Sequence, residues 1–600
     1  MLFGKYINKY YKKYWYLFLI SIVALIFIDY CQLYVPEFVG EIVDFFNGDK
    51  IDSDIADQEV ILNIIINVLL VAIAMFVGRI IYRYTLFYAS RNMEAGLRDE
   101  MFLKATRLQT SFYHENKLGG IMSIFTNDLE TIEEFIGWGT VQLVDAVFLS
   151  ILAIYKMFKL DWVLTIVALI PAILIIVWGF FVEKVFSKKW ELRQKEYDKV
   201  YDFAQENFTG IRVIKAFVQE NAQIFAFSKA AKRTKDANID FVRTDALFES
   251  TLSLIIALII SIILGFGSYI VYSCVSGNPL IIFNQEIKLT SGNLITFIGY
   301  FDTLVYPLIA IGGIFTQRSR ARTSLGRVIN FLDTPETIVN PKNPLYLKDC
   351  KGEIEFNNFS FSYPSSEVES LKNINLKINP GEKIGIVGKI GCGKSTLVNI
   401  LLRLYNVDKN TVKIDGKDIM DLDIQDLRNN ISYVPQDNFL FSTKIEDNIK
   451  FADLSINKER VIKAAKFASI HDDINSFPES YDTVIGERGV TLSGGQKQRI
   501  SIARAFIRET PILILDDSVS ACDLNTEEKI LNNIYSEREN KTTILIASRI
   551  STVSKLDRII VLNEGKLEAF DTHENLLKIS PTYQKMDYLQ QLEKEVNQND

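Results

Sequence analysis

Cysteine is scarce in this chain of 600 residues: Cys31, Cys274, Cys350, Cys392 and Cys522 are its only five. They form neither close pairs nor metal-ligand spacing, which excludes a disulfide framework and a zinc site and leaves reduced cytosolic thiols as the expectation. Excess charge is lacking too. A net charge of −7 over this length gives no basis for nucleic-acid binding, so none is expected. No small-residue cleavage site follows the first apolar stretch, so a cleavable leader is not expected.

What the chain does have is long apolar runs, and they are unevenly placed. The 48% hydrophobic content is concentrated before about residue 320, and the remainder reads as a soluble α/β domain. Trp15–Val35, Val60–Tyr82, Val141–Leu160, Trp162–Val182, Leu252–Tyr272 and Leu294–Phe315 each approach the ~20 residues that cross a bilayer. Six crossings put both ends on one side. Lys5, Lys9, Lys12 and Lys13 precede the first span, while Asp44, Asp49, Asp52, Asp54, Asp57 and Glu59 follow it, so the N-terminus is expected in the cytoplasm. Lys156 and Lys159 run against that bias. Within or beside the spans, Asp29, Arg79, Asp145 and Asp302 are costly charges that face water or one another, or mark a substrate path. The aromatics Tyr30, Tyr34, Tyr84, Phe87, Phe301 and Tyr306 serve packing and anchoring, or stack on amphipathic substrates.

The second-to-third and fourth-to-fifth connections run to roughly sixty and seventy residues, and the helical stripe in Ser187 to Val218 makes them cytosolic extensions of the spans. Beyond the sixth span come a basic segment, Gln317 to Arg322, and a Pro-, Asn- and Thr-rich stretch from Asp333 to Pro344. The expected division is a membrane domain at 1–325, a linker at 326–349 and a soluble domain at 350–600.

The soluble half is organised around Gly388-Lys389-Ile390-Gly391-Cys392-Gly393-Lys394-Ser395, followed by Thr396. It lies between an apolar run, Ile384 to Val387, and a helical pattern, the strand-loop-helix context that a phosphate-binding loop requires. Glycines turn backbone N–H groups toward phosphate oxygens, Lys394 reaches the outer phosphates, and the Ser395 hydroxyl suits Mg²⁺. Pro511 to Asp516 is a buried-strand run ending in a carboxylate placed for Mg²⁺. Between them, Leu492-Ser493-Gly494-Gly495-Gln496 opens a second Gly-rich helix, hence a second anion site.

In this order the motifs resemble the ATP-binding cassette family, over about residues 350 to 585, and the half before them resembles its exporter type. The resemblance implies an all-α six-helix transmembrane domain followed by an α/β P-loop nucleotide-binding domain. It implies ATP and Mg²⁺, with Tyr363 stacking on adenine, Gln436 reaching Mg²⁺ and the attacking water, and Ser493, Gly494, Gly495 and Gln496 serving ATP held by a second half-transporter. Phe112-Tyr113-His114 through Gly119-Gly120-Ile121-Met122-Ser123 with Thr126-Asn127-Asp128, and Gly210 to Phe217 with Glu220, resemble the cytosolic coupling segments. Gly486-Glu487-Arg488-Gly489 resembles a segment touching the partner's helices, and Ser520-Ala521-Cys522-Asp523 would cross the dimer interface.

Two positions depart from the family pattern. Asp517 follows Asp516 where the family has the Glu that polarises the attacking water, and Ser548 precedes Arg549 where it has a γ-phosphate-binding His; His114, His471 and His573 lie elsewhere. With the ATP-holding residues intact, the resemblance implies half of a heterodimeric exporter of amphipathic drugs, lipids or peptides in the plasma membrane. This half would bind ATP, cleave it slowly, and lend its signature to the partner's active site. A homodimeric exporter with slow ATPase and an ATP-gated channel or regulatory subunit are the other readings. An importer is disfavoured by the fused chain and the long cytosolic helices, and a peptidase-bearing secretion exporter by the roughly fourteen residues before the first span.

Overall fold

The computed structural model describes residues 4–47, 57–276, 281–282, 285–286, 288–364, 366–486, 492–520 and 522–599. Asp49, Asp52 and Asp54 of the acidic connection, Glu487, Arg488 and Gly489 ahead of the signature, and Ala521 lie outside these residues. The chain divides into two compact units. One comprises 1–106 and 118–334, the other 107–117 and 335–600.

The first unit is helical apart from a short hairpin, Ile281–Ile282 paired with Gln285–Glu286. Among the described residues, six helical stretches are long and apolar enough to cross a membrane. They outrun the apolar stretches: Asp57–Arg107, Trp162–Thr209, Glu220–Val275 and Ser291–Asp333 continue well past a bilayer's width. The first span is broken at Leu33 into Asn8–Gln32 and Tyr34–Asn47. The last helix persists to Asp333, eight residues past the expected domain edge, because no breaker intervenes before Pro335. The third span carries two π-turns, Ile124–Asp128 and Asp145–Leu149.

The intramembrane charges separate on inspection. Asp29 is buried and Asp145 half-buried, whereas Arg79 and Asp302 are exposed. Lys156, one of the two lysines against the charge bias, is ion-paired to Glu37 at 2.5 Å, lies over the Tyr34 ring, and shares Glu37 with the Tyr300 hydroxyl. Asp128 is buried and bound by Arg327, whose Nε donates at 2.7 Å, and by the Ser324 hydroxyl at 2.8 Å. These contacts join segments over a hundred residues apart, invisible to any local pattern.

The second unit contains two sheets. Its strands in chain order are β1 (Ile354–Ser362), β2 (Glu369–Ile378), β3 (Lys383–Gly388), β4 (Val412–Ile414), β5 (Lys417–Asp418), β6 (Ile431–Val434), β7 (Ile512–Asp516), β8 (Thr542–Ile546), β9 (Arg558–Asn563) and β10 (Lys566–Asp571). Strands β2-β1-β4-β5 form an antiparallel sheet, and β10-β9-β3-β8-β7-β6 form a sheet parallel from β9 to β6. Strands β3, β7 and β8 are buried along their whole length, which is why they read as unbroken apolar runs. The unit begins before residue 350, since Leu345 already exchanges backbone hydrogen bonds with Asp421 and Asp423. The short helix Thr110–Glu115 also belongs here, with the Thr110 hydroxyl donating to Leu404 O.

Candidate functional site

The C-terminal ends of β3, β7 and β8 meet where a parallel sheet presents ligands. From β3 the chain turns through 388–393 into the helix Lys394–Leu401. Gly388 and Gly393 make the turn possible. At Gly388 (φ +154°) a Cβ would lie 2.2 Å from Leu562 O, and at Gly393 (φ +100°) 2.8 Å from Ser370 O. A cavity of about 510 Å³ opens above this loop, lined by Tyr363, Ile390, Gly391, Gly393, Lys394, Ser395, Thr396, Gln436, Asp516, Asp517 and Ser548 among others. Of the residues expected to hold nucleotide or metal, Gly388 and Cys392 fall outside the lining. Cys392 is buried, with its sulfur beneath the loop 4.0 Å from Lys394 Nζ.

Within the cavity the polar groups are already in register. Lys394 Nζ donates to the carbonyls of Gly388 at 2.9 Å and Lys389 at 3.1 Å, which holds the ammonium at the mouth of the loop. The Ser395 hydroxyl and the Asp516 carboxylate line the same cavity. Tyr363 packs edge-on against Phe361 and Tyr405, and its hydroxyl pairs with that of Thr396 at 2.9 Å. Burial pushes the Asp516 carboxyl above its ordinary value, opposed by Ser395, Lys394 and Tyr433. The hydroxyl, carboxylate and amide of Ser395, Asp516 and Gln436 form an all-oxygen donor set, which fits Mg²⁺ bound chiefly through substrate phosphates.

Asp517 is held in an unusual way. Its backbone is left-handed, φ +45°, a conformation strained for a non-glycine residue. Three hydrogen bonds fix its main chain: its N–H donates to Ile546 O at 3.0 Å, and its carbonyl accepts from Gln498 Nε2 at 3.1 Å and the Ser520 hydroxyl at 2.9 Å. Burial raises the Asp517 carboxyl, while Ser520, Lys394, the Ser548 N–H and Arg549 act the other way. Its Oδ1 is buried with no hydrogen-bond partner among the described residues.

Ser548 lies just past β8 and is exposed. Its carbonyl accepts from Gln590 at 2.9 Å, while Arg549 reaches the buried Glu527 at 3.4 Å.

The Ser493 to Gln496 segment is not part of this cavity. Ser493 caps the helix Gly494–Phe506 in a reciprocal box, its hydroxyl accepting from Gln496 N and the Gln496 amide oxygen accepting from Ser493 N. Gln496 also donates to Asp473, so its side chain is engaged within the domain, whereas Ser493 and Gly494 are exposed. Sequence reasoning missed Arg504 of the same helix, which donates to Phe439 O, Asn448 O and Asn448 Oδ1 and so ties this helix to the loop after Gln436. It also missed Gln498, Glu527 and Gln590. Only the S-x-x-Q spacing of the cap was readable locally.

Both halves of the chain match known protein families. Residues 18–308 match the ABC transporter transmembrane region, and 371–520 match the ABC transporter domain. The probable multidrug resistance ABC transporter ATP-binding/permease protein YheI of Bacillus subtilis is 32% identical over 593 residues, 98% of this chain and 97% of that protein. The multidrug resistance-like ATP-binding protein MdlA of Escherichia coli is 31% identical over 588 residues, 98% and 96% of the two chains. A solved bacterial Atm1-family ABC exporter with ATP bound superposes with a TM-score of 0.76 at 24% identity, covering 95% of this chain and 97% of that one, which shows the shared fold. The chain therefore belongs to the ABC transporter family, an ATP-driven membrane transporter with the exporter fold, its six-helix transmembrane region joined to an ATP-binding domain.

Proposed function

We propose that this chain is the slow-hydrolysing half of a heterodimeric exporter that moves amphipathic drugs, lipids or peptides out of the cytoplasm. The carrying observation is the state of Asp517: a carboxylate one methylene short of the family's glutamate, on a main chain fixed at three points. The backbone cannot advance to make up a reach of roughly 1.5 Å, the length of one C–C bond. Ser548 offers a hydroxymethyl group where the family places an imidazole. The phosphate loop has no such loss.

In this reading Gly388, Gly391, Cys392, Gly393, Lys394, Ser395 and Thr396 hold ATP, with Cys392 acting through the loop backbone, and Tyr363 supports the adenine. Ser395, Asp516 and Gln436 hold Mg²⁺, which neutralises charge on the outer phosphates. Ser493 and Gly494, exposed and apart from the cavity, serve the partner's nucleotide together with Gly495 and Gln496. The division of labour follows from these two faces of one domain. The helix Ile211–Ala216 and its flanks leave Val213, Phe217 and Val218 more than half exposed, suited to docking on the partner's cassette. The plasma membrane is the expected home, with the N-terminus and cassette in the cytoplasm. The multidrug names of the relatives favour amphipathic cargo.

The test is ATPase of the chain purified alone and with the half-transporter encoded beside it. Asymmetry predicts turnover by the pair that survives Asp517→Asn here and is abolished by the matching change in the partner. Brisk turnover by this chain alone, stopped by Asp517→Asn, refutes the heterodimer and makes a homodimer the better account.

A further inference from the structure

We infer that Gln590, on the C-terminal helix Pro581–Asn599, is a positioning residue that straps the Ser548 loop against the ATP site, so that this helix governs how long nucleotide is retained. The inference rests on the reading of the β3-β7-β8 cavity as that ATP site. Gln590 Nε2 donates to Ser548 O at 2.9 Å, and its Oε1 accepts from Ile550 N–H at 2.8 Å. Both functions of one primary amide are thus spent on main chain flanking Arg549, as a neighbouring strand would spend them. Only asparagine, one methylene shorter, offers the same primary amide.

The strap is anchored behind and connected in front. Behind it, the first turn of the helix is held by Glu568, which accepts from the Ser580 hydroxyl at 2.6 Å, Thr582 N–H at 3.0 Å and the Thr582 hydroxyl at 2.5 Å. Tyr583 is fully buried and bonded to His573, Met586 packs on the core, and Gln590 follows on the same face at helical spacing. In front, the Ser548 side chain lines the same cavity as Asp517. A displacement of Gln590 is therefore passed through one residue to the cavity wall. Arg549 is tied separately to Glu527, which also accepts from the Thr552 hydroxyl, so the loop swings only if the amide strap is released.

The experiment measures release of a fluorescent ATP analogue from the full transporter in detergent, together with its unfolding temperature. Gln590→Ala removes two neutral hydrogen bonds and is expected to speed release about tenfold. Gln590→Glu separates positioning from general structure. As a carboxylate it accepts from Ile550 N–H but sets an oxygen against Ser548 O, and once protonated it regains a donor. Its release rate, taken relative to wild type at each pH, should match Gln590→Ala near about pH 8 and return toward wild type as the pH falls toward about 4.3, the ordinary glutamate value. Of the charged groups around it, Arg549 on the loop favours the ionised form of the new carboxyl, while Glu527 behind it and Asp587 on the same helix oppose it; only their own titration is common to both proteins and cancels in the ratio.

Release unchanged in both variants, or a lower unfolding temperature with unchanged release, overturns the inference. If Gln590→Ala fails to fold, Gln590→Met, of equal length, carries the same expectation. Lys394→Ala is the control for the site itself, made in a transporter whose partner phosphate-loop lysine is already replaced: analogue binding that survives it refutes the ATP-site reading, whereas its loss together with inert Gln590 variants refutes the strap alone.

Discussion

Lengthening one side chain should switch hydrolysis on at this site. In Asp517→Glu the carboxylate moves out by roughly 1.5 Å, one C–C bond, into the cavity shared with Lys394, Ser395 and Gln436. The main chain gives no competing adjustment, because Ile546, Gln498 and Ser520 hold it at 3.0, 3.1 and 2.9 Å. Misplacement of a catalytic group by about 1 Å costs on the order of 10²-fold in rate. Restoring it should therefore raise turnover at this site about 10²-fold, equivalent to ~2.7 kcal/mol of barrier. The left-handed backbone is no obstacle, since aspartate already bears that strain. The assay is single-site ATPase of the co-purified pair with the partner's own catalytic carboxylate removed, comparing wild type, Asp517→Glu, Ser548→His and the double variant. The double variant should be fastest, because the imidazole supplies a hydrogen bond to phosphate that Ser548 cannot. Turnover that Asp517→Glu leaves unchanged or lowers refutes the reach argument and makes the aspartate a competent group in its own right.

Three further outcomes follow from the cassette's geometry. Gly393→Ala adds a Cβ at φ +100°, 2.7 Å from Leu371 Cδ2 and 2.8 Å from Ser370 O; the left-handed penalty of about 1–2 kcal/mol plus the clash should weaken ATP-analogue binding at least tenfold. Arg504→Ala strips donors from Phe439 O, Asn448 O and Asn448 Oδ1 and should destabilise the cassette by about 3 kcal/mol, read as a lower unfolding temperature that Arg504→Lys only partly repairs. The Arg504 guanidinium, pushed down to about 10 by burial, is still charged at neutral pH, so this loss is one of charged hydrogen bonds. Glu568 is buried enough to raise its carboxyl, yet bonds from Ser580 and Thr582 outweigh that and lower it below 4.5. Its folded form is the more acidic one, so its stabilisation is present above about pH 4.5 and is lost as pH falls through the lowered value. Hydrogen exchange in the C-terminal helix should accelerate in that acid window, and should already be fast at neutral pH in Glu568→Gln.

The features legible in the sequence were those whose chemistry is contiguous. Gly388 to Ser395 and Pro511 to Asp516 carry their strand, loop and helix context with them, so the β3 and β7 ends of the site could be read directly. The departures at Asp517 and Ser548 were equally plain, because a missing methylene or imidazole is a property of one position. What escaped is everything that works through main-chain atoms at long range. Gln498 holds Asp517 O, Gln590 holds Ser548 O and Arg504 holds Phe439 O. A glutamine or arginine bonded to a distant carbonyl leaves no periodicity. The same limit hid the Asp128–Arg327 and Glu37–Lys156 pairs, and it made Lys156 look like an error of charge bias rather than half of an ion pair. The last membrane helix runs to Asp333, past the point where the sequence turns basic at Gln317 to Arg322. A helix leaving a bilayer must lose its apolar pattern without ending.

The departures and the supports together define what kind of site this is. Loss of a catalytic residue ordinarily frees the residues that once positioned it, yet here the Asp517 main chain keeps three partners and the Ser548 loop keeps two. Those supports stabilise geometry rather than chemistry. On the proposed reading, a site that only needs to hold ATP still requires the β7 and β8 ends to stay closed around Lys394 and Ser395, because an open loop would admit water and release the nucleotide. The helix Gly494–Phe506 sharpens the point. Through Gln498 it touches Asp517 O, and through Ser493 and Gly494 it presents an exposed N-terminus. On the proposed heterodimer reading, closure around this chain's ATP is joined through Gln498 to the presentation of its signature, so a retained nucleotide here would keep the partner's site assembled between turnovers.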